Sequence, residues 1–324
     1  MQGSGPGGRR VPRREFVRRA ALVTVAAGAG ASTLARAMAR PVVPTVTDAP
    51  IELGPVSGLA RLRGDTIAVG GDDGAPRVWR RFDAAWARLT GDGAFPPGTS
   101  LADVDAAGDR LLAVGSIVSA RGPAPAAFAS NDGESWSAVS LPGTVPDLGA
   151  ATSVAARRGR FLFVGTGFES PEVLEPAGPF GVEVGLDGAS RWAGNGLPSL
   201  HHGAITMVGA LDDGFLIGAT DVAGMRLASS PGPAGPWVSI PPPPIEGPAA
   251  PVAAATVDGA TVLVVVDGVD ITSWWRRESH GWRRIPPMGD LTTDVRVQAL
   301  VGGRTKVAVA GVAGHRGVYE EVAA

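Results

Sequence analysis

Carboxylate side chains recur beside turn residues in this sequence, and glycoside hydrolysis requires carboxylates in pairs. Both the retaining and the inverting reaction need two of them at a defined separation across a sugar. Aspartate before glycine is also an ordinary turn residue, so residue type alone makes none of them catalytic. We assign no catalytic residue and treat seven carboxylates as part of a candidate ligand face: Asp72, Asp73, Glu169, Glu172, Asp221, Asp267 and Asp270.

Two adjacent histidines, His201 and His202, complete this candidate ligand face. Neighbouring side chains on an extended chain point to opposite sides, so a single metal ion rarely binds both. The sequence has no cysteine, which excludes disulfides, thiolate metal sites and a catalytic thiol. It also lacks a glycine-rich phosphate loop, a zinc-protease helix motif and a dinucleotide fingerprint. We therefore predict neither a metal nor a cofactor.

The first 39 residues have the order of a secretory signal. They hold seven arginines and one glutamate, a charge of +6, followed by an Ala- and Gly-rich apolar stretch and a small-x-small cleavage pattern. Residues 13–18, Arg-Arg-Glu-Phe-Val-Arg, resemble the twin-arginine export signal. The apolar stretch at residues 20–34 is shorter than the ~20 residues that span a membrane, although an uncleaved anchor stays open. We expect export to the cell envelope or beyond, with no transmembrane span after signal removal.

The remaining chain, residues 40–324, is mildly acidic. It has 22 basic and 30 acidic residues, a net charge of −8. No basic stripe interrupts this balance, which argues against nucleic acid as a partner. The chain is long and apolar enough to bury a core, and we expect residues 40–324 to form a single domain and a monomer.

An apolar strand that ends in glycine recurs along this domain. Its glycines are spaced by 45, 50 and 53 residues and then by 93, which is two repeats: Gly70, Gly115, Gly165, Gly218 and Gly311. A tryptophan begins the fourth strand of each of five repeats: Trp86, Trp136, Trp192, Trp237 and Trp282. Four short strands in each 40–50 residues is the period of a propeller blade.

These counts predict an all-β fold, a six-bladed β-propeller of four-stranded blades. The last repeat ends after its third strand, so we expect residues 41–48 to supply the missing fourth strand and close the ring. Closure removes exposed sheet edges that favour aggregation. An open pair of β-sandwiches is the alternative. In a propeller, the turns between second and third strands and the blade connections would bring the candidate ligand face together.

The segment Ser130-Asn131-Asp132-Gly133-Glu134-Ser135-Trp136 has the pattern of a tight hairpin. It resembles the Asp-box of sialidase-type propellers, the BNR repeat, with one residue fewer. The resemblance implies that Ser130, Asp132, Gly133 and Trp136 form a structural hairpin at the edge of a blade. It does not imply an activity.

True sialidases use an arginine cluster, a tyrosine nucleophile paired with glutamate, and an aspartate. This chain has one tyrosine, Tyr319, and the neighbouring Glu320 would point to the opposite face of a strand. An Arg-Ile-Pro motif begins at Arg284, whereas that family places it near the start of the chain. Sialidase activity is therefore not expected.

Our leading hypothesis is an exported, non-catalytic propeller that binds a glycan, a peptide or an envelope protein. The alternative is a carbohydrate-active hydrolase or lyase that uses loop carboxylates. Clustering of the candidate ligand face around a deep channel mouth would favour the enzyme.

Overall fold

The computed structural model describes twenty-three β-strands and no helix in the residues it covers. These residues are 55–72, 75–82, 85–90, 93–170, 176–194, 197, 203–267, 272–287, 296–302, 306–313 and 316–323. Residues 1–54, and with them the predicted signal and the predicted closing strand at 41–48, lie outside this range.

The first three blades are antiparallel sheets in which each strand pairs with the next along the chain. Blade 1 contains β1 (Val56–Leu62), β2 (Asp65–Asp72), β3 (Ala75–Phe82) and β4 (Ala85–Arg88). Blade 2 contains β5 (Thr99–Ala107), β6 (Arg110–Ser119), β7 (Gly122–Ser130) and β8 (Ser137–Ala138). Blade 3 contains β9 (Gly149–Arg157), β10 (Arg160–Phe168), β11 (Pro176–Gly185) and β12 (Ser190–Trp192).

Two further blades and a three-stranded sheet follow. Blade 4 contains β13 (Ala204–Ala210), β14 (Phe215–Asp221), β15 (Gly224–Ser230) and β16 (Val238–Ile240). Blade 5 contains β17 (Ala249–Val257), β18 (Ala260–Asp267), β19 (Thr272–Glu278) and β20 (Gly281–Ile285). The last sheet contains β21 (Arg296–Val301), β22 (Lys306–Ala313) and β23 (Arg316–Ala323).

The all-β propeller prediction is confirmed, but the predicted number of blades is wrong. Five blades with four strands are present, not six, and the last sheet has three strands among the described residues. This sheet lies between blades 5 and 1, because β21 contacts both β17 and β1. The prediction counted the last sheet as a complete blade by giving it residues 41–48, which lie outside the described residues.

The second strand of each sheet is apolar on both sides because it packs between two neighbouring sheets. Leu111 and Ala113 of β6 face a cluster shared with blade 1, whereas Leu112 and Val114 face a cluster shared with blade 3. Six such clusters, one between each pair of neighbouring sheets, form the core. Burial of each large side chain contributes about 1.5–3 kcal/mol, which explains the continuous apolar runs in the sequence.

Every first strand carries a β-bulge at the same place. One residue of each first strand has no partner in the register with the second strand: Ser57, Ala102, Thr152, Thr206, Val252 and Gln298. The bulge explains the repeated glycine. A Cβ atom at Gly115 would lie 1.9 Å from the carbonyl oxygen of Ser100 in the bulged strand, and Gly70 and Gly165 have the same restriction.

Three of the bulge residues also join neighbouring blades. The hydroxyl of Ser57 donates to the carbonyl of Leu101 at 2.8 Å, and that of Thr152 donates to the carbonyl of Ile205 at 3.0 Å. Thr206 makes the equivalent bond to Pro251. In each case the acceptor immediately precedes the bulge residue of the next blade, so the bonds repeat around the ring. Blade 2 has Ala102 at this position and cannot make this bond.

Candidate functional site

A cavity of about 850 Å³ lies on the axis of the ring, surrounded by first strands from all six sheets. Its lining begins at the bulges and continues into turns between first and second strands, such as Arg157–Arg158 and Asp258–Gly259. We call the end of the ring that carries these turns the near face. The opposite end, with the turns between second and third strands and the blade connections, is the far face.

Asp103 links blades 2 and 3, where the hydroxyl-to-carbonyl bond is missing. Its Oδ1 accepts the N–H of Val104 on its own strand at 2.8 Å. Its Oδ2 accepts the N–H of Val154 at 2.9 Å and the hydroxyl of Ser153 at 2.7 Å, both on β9. One carboxylate thus satisfies backbone donors on the free edges of two first strands.

Asp105 repeats this arrangement two residues further along the cavity wall. It accepts the N–H of Ala106 at 2.7 Å and, across the blade boundary, the N–H of Ala156 at 2.6 Å. Asp103 and Asp105 point to the same side of β5 because strand side chains alternate. We call this pair the carboxylate ladder.

Burial makes both members of the ladder weaker acids. Desolvation raises the pKa of Asp103 to about 7, although the hydrogen bonds from Val154, Ser153 and Val104 favour its charged form. Desolvation also raises the pKa of Asp105 to about 7, with a further small increase from the charge of Asp103. Near neutral pH the ladder therefore holds about one proton, and it can both donate and accept hydrogen bonds in the cavity.

The ladder is specific to blade 2. The position of Asp103, one residue after the bulge, is occupied in the other sheets by Gly58, Ser153, Met207, Ala253 and Ala299. Gly58 leaves room for the ladder, since a Cβ atom there would lie 2.7 Å from Oδ1 of Asp103. The cavity is thus asymmetric, with a pair of buried, hydrogen-bonded carboxylates on one wall.

Arginines line the cavity on both sides of this wall, from blades 1 and 3. Arg157 donates to the carbonyl of Leu211 at 2.9 Å and to that of Asp212, which fixes it against blade 4. Arg158, exposed at the rim, occupies the first position of a tight turn with φ of 50°. Arg61 on β1 donates to Thr66 at 2.8 Å. Asp212 and Asp258 also border the cavity.

Four residues of the candidate ligand face are described, and they lie away from this cavity. Asp72, Glu169, Asp221 and Asp267 are at or just after the far ends of β2, β10, β14 and β18, and none of them lines the cavity. Glu169 is exposed. Asp73, Glu172, His201, His202 and Asp270 lie outside the described residues, so their positions relative to these four are not described.

Asp221 is the predicted carboxylate whose surroundings are best described. It is buried, accepts the N–H of Ala223 at 2.7 Å in its own turn, and pairs with Arg226 at 3.2 Å. These bonds stabilise the β14–β15 turn, and they engage both carboxylate oxygens of Asp221.

The predicted hairpin at Ser130 has a dense set of internal bonds. Oδ1 of Asp132 accepts the N–H groups of Glu134 and Ser135, each at 2.8 Å, and the Ser130 hydroxyl at 2.9 Å. The indole N–H of Trp136 donates to the carbonyl of Gly133 at 2.8 Å, where φ is 82°. These residues form a turn on the near face of blade 2 and contribute to its packing; the resemblance to the Asp-box stays a prediction.

Tyr319 is part of a packed interface between the last sheet and blade 1. Its hydroxyl is 3.2 Å from that of Thr66, its ring meets Trp86 edge to face at 4.9 Å, and the Arg81 guanidinium lies 4.7 Å from its centre. These contacts join β23 to blade 1.

Asp103 and Asp105 are not among the site residues predicted from the sequence. The signal was their alternation within an otherwise small and apolar strand, Thr99–Ala107, which places two carboxylates on one side of a first strand. Because first strands surround the central channel of a propeller, carboxylates on such a strand border the channel.

The described part of the chain shows no group of three His, Asp or Glu side chains that could hold a metal ion. It also shows no helix with the length and apolar character needed to cross a membrane.

Comparison with solved structures gives similar folds at low sequence identity. YjhT is 11% identical over 85% of this chain and 95% of its own, with a TM-score of 0.56. A triple arginine mutant of AofleA from Arthrobotrys oligospora is 12% identical over 83% of both chains, with a TM-score of 0.54. The PQQ-bound aldose sugar dehydrogenase from Streptomyces coelicolor is 15% identical over 88% of this chain and 100% of its own, with a TM-score of 0.52.

These similarities support the β-propeller fold and do not assign an activity. No family model matches the sequence, and no curated protein matches it.

Proposed function

We propose that this protein is an exported, non-catalytic propeller that binds a polar ligand in its central cavity. The observation that carries the proposal is the cavity itself, with the carboxylate ladder on one wall and arginines of blades 1 and 3 on either side of it. Pockets of 300–1,000 Å³ with a few convergent polar groups are typical of ligand sites. A glycan, or a segment of a peptide or envelope protein, provides the hydrogen-bonding groups that such a lining can satisfy.

Binding is favoured over catalysis because the ladder carboxylates already have structural partners. Each carboxylate oxygen of Asp103 and Asp105 accepts at least one hydrogen bond from a backbone N–H of β5 or β9. An acid or base that moves during a reaction would break a bond that joins two blades.

Hydrolysis is the second candidate function, and the raised pKa values of Asp103 and Asp105 are the observation that favours it. A carboxyl group with a pKa near 7 can act as a general acid at neutral pH. Asp103 and Asp105 are two residues apart on β5, so their Cα atoms are separated by about 7 Å. This distance is similar to the separation of the two carboxyl groups in inverting glycosidases. Both groups, however, project from one wall, whereas such enzymes flank the sugar.

A cavity-filling substitution tests the binding site. Thr256 lines the cavity, and its cross-strand partner Thr261 does not. We expect Thr256→Phe to abolish the thermal stabilisation that a ligand gives, with Thr261→Phe as the matched control. A screen of glycans, cell-wall fragments and peptides by thermal shift supplies the ligand, because a ligand that binds the native state raises the melting temperature.

The result separates the candidates. Stabilisation that both phenylalanine variants retain would place the ligand elsewhere and refute the cavity. Product formation that Asp103→Asn or Asp105→Asn abolishes would favour the hydrolase over the binding module.

A further inference from the structure

We propose that the near face of blade 3 binds a carboxylate-bearing polysaccharide. Its chain would run from the central cavity, over the β9–β10 turn, to a second pocket at the outer part of the blade. This inference rests on the proposed binding function and names the class of ligand.

The β9–β10 turn separates the two cavities and is rich in arginine. Its sequence is Arg157-Arg158-Gly159-Arg160. Arg157 and Arg158 line the central cavity, whereas Gly159 and Arg160 line the outer pocket. Arg158 is exposed and makes no hydrogen bond or ion pair with the residues that the structure describes, so its guanidinium is available to a ligand.

The outer pocket, with a volume of about 460 Å³, presents two oriented arginines. Glu183, only 4% exposed on the central strand β11, accepts Arg160 at 2.5 Å through Oε1. Its Oε2 accepts Arg191 at 2.7 Å. The arginine side chains nevertheless stay 55% and 62% exposed. The two guanidinium groups together have ten N–H donors, and the Glu183 carboxylate accepts only some of them. Arg160 and Arg191 therefore both keep donors that can bind a ligand carboxylate.

The pocket is built into the fold before any ligand arrives. Its β11–β12 turn is fixed to blade 2, because Arg110 donates to the carbonyl of Leu186 and Ser190 donates to that of Ser140. Asp187 accepts the N–H of Ala189 at 3.0 Å within the turn. A preformed site loses less conformational entropy on binding.

The local charge is opposite to that of the domain. At the β9–β10 turn and the outer pocket, five arginines (110, 157, 158, 160 and 191) against two carboxylates (Glu183 and Asp187) leave a charge of +3, whereas residues 40–324 carry −8. A patch of opposite sign attracts an anionic ligand to one place on an acidic protein.

The mixed polar lining favours an acidic polysaccharide over an acidic peptide. Arginines match the ligand's carboxylates, and the Asp103–Asp105 ladder in the cavity accepts hydrogen bonds from hydroxyl groups. Arginine clusters also bind acidic peptide motifs, but a chain of acidic residues lacks the hydroxyl groups that the ladder can bind. At the outer pocket, Leu186 is the large apolar residue among the lining residues.

The test uses the purified protein with oligogalacturonate, its fully methyl-esterified form and poly-glutamate as probes in calorimetric titrations. Arg158→Gln removes the exposed rim charge, and Arg121→Gln, which removes an exposed charge on the far face, is its control. Ala189→Glu adds a negative charge at the outer pocket and leaves the ion pairs of Glu183 with Arg160 and Arg191 in place. Its control is Ala85→Glu, which adds the same charge at an exposed position on β4 of blade 1.

We expect oligogalacturonate to bind, and its affinity to fall as salt rises. Arg158→Gln and Ala189→Glu should each weaken binding by about tenfold, and neither control should. The methyl ester should bind far more weakly, since it has lost its charge.

Several outcomes would overturn the inference. Equal binding of the methyl ester would remove the role of the carboxylates, and tighter binding of poly-glutamate would assign the surface to a peptide. The inference would also be refuted if none of the three probes bound. It would be refuted as well if neither Arg158→Gln nor Ala189→Glu weakened the binding of oligogalacturonate. A neutral ligand blocked by Thr256→Phe but not by Ala189→Glu would refute this surface and leave the proposed function intact.

Discussion

At the scale of single residues, the carboxylate ladder combines a structural task with a titration near neutral pH. Asp103 and Asp105 hold the edges of β5 and β9 together, yet burial raises the pKa of each to about 7. In the unfolded chain the same groups titrate near 3.8. The link between blades 2 and 3 therefore depends on pH.

Stability should fall as the pH rises through neutrality. Between pH 4 and 7 the folded protein binds more protons at these groups than the unfolded chain does, so the stabilisation present below pH 4 is lost by about pH 7. After allowance for their partial exposure, we expect a loss of about 1–2 kcal/mol between pH 5 and 8, a decrease in melting temperature of roughly 2–8 °C. Thermal melts across this range measure it.

Asp105→Asn should reduce this slope by about half. Asp132→Asn is the control. Burial tends to raise the pKa of Asp132, but the N–H groups of Ser135 and Glu134 and the Ser130 hydroxyl keep it below its usual value, so its titration lies outside the range. An unchanged slope in Asp105→Asn would show that the ladder does not titrate near 7.

The residue-level site was only partly predictable from the sequence. The turn at Asp132 follows from local pattern, because a short polar side chain bonds to N–H groups two and three residues on. Asp103 depends on Val154 and Ser153, about fifty residues away. Nothing local to Asp103 indicates those partners.

At the scale of elements, the bulge and its glycine form one unit. The carbonyl of Ser100 projects toward β6 and approaches the Cα of Gly115, so the first strand can bulge only where the second has no side chain. The spacing of the repeated glycine is visible in the sequence. The reason that glycine is required there becomes clear only from the register of the neighbouring first strand.

Gly115→Ala should destabilise the protein by about 1–3 kcal/mol, because the new methyl group meets backbone that cannot move without disrupting the sheet. Gly71→Ala, also at the end of a second strand, is the matched control. A Cβ atom there meets nothing closer than 3.8 Å, and we expect a change within about 0.5 kcal/mol. Urea denaturation of both variants measures the difference. Equal stability would mean that the bulged strand shifts freely.

The strands themselves were predictable where both sides are buried. Phe161 and Phe163 face one cluster and Leu162 and Val164 the next, so the apolar run itself predicts a strand between two sheets. The short outer strands were located by their tryptophans. The last sheet has no such marker, which is why its predicted fourth strand rested on position alone.

At the scale of the whole molecule, the proposed route of export gives a separate prediction. Arg13→Lys with Arg14→Lys should retain the protein in the cytoplasm, because the twin-arginine pathway reads that pair. Arg9→Lys with Arg10→Lys preserves the same charge outside the motif and should leave export unchanged. Fractionation followed by immunoblotting measures both. Equal export of the two double variants would exclude the twin-arginine route.

The shared bulge also bears on how the ring arose. Six sheets interrupt the pairing of their first and second strands at the same place, yet the residues there are Ser, Ala, Thr, Thr, Val and Gln. Side chains at this point differ among the sheets, while the backbone irregularity is the same. Duplication of one ancestral sheet accounts for this pattern more simply than six independent origins. The carboxylate ladder, found in blade 2 and lacking in its sister sheets, is then a later specialisation of one copy.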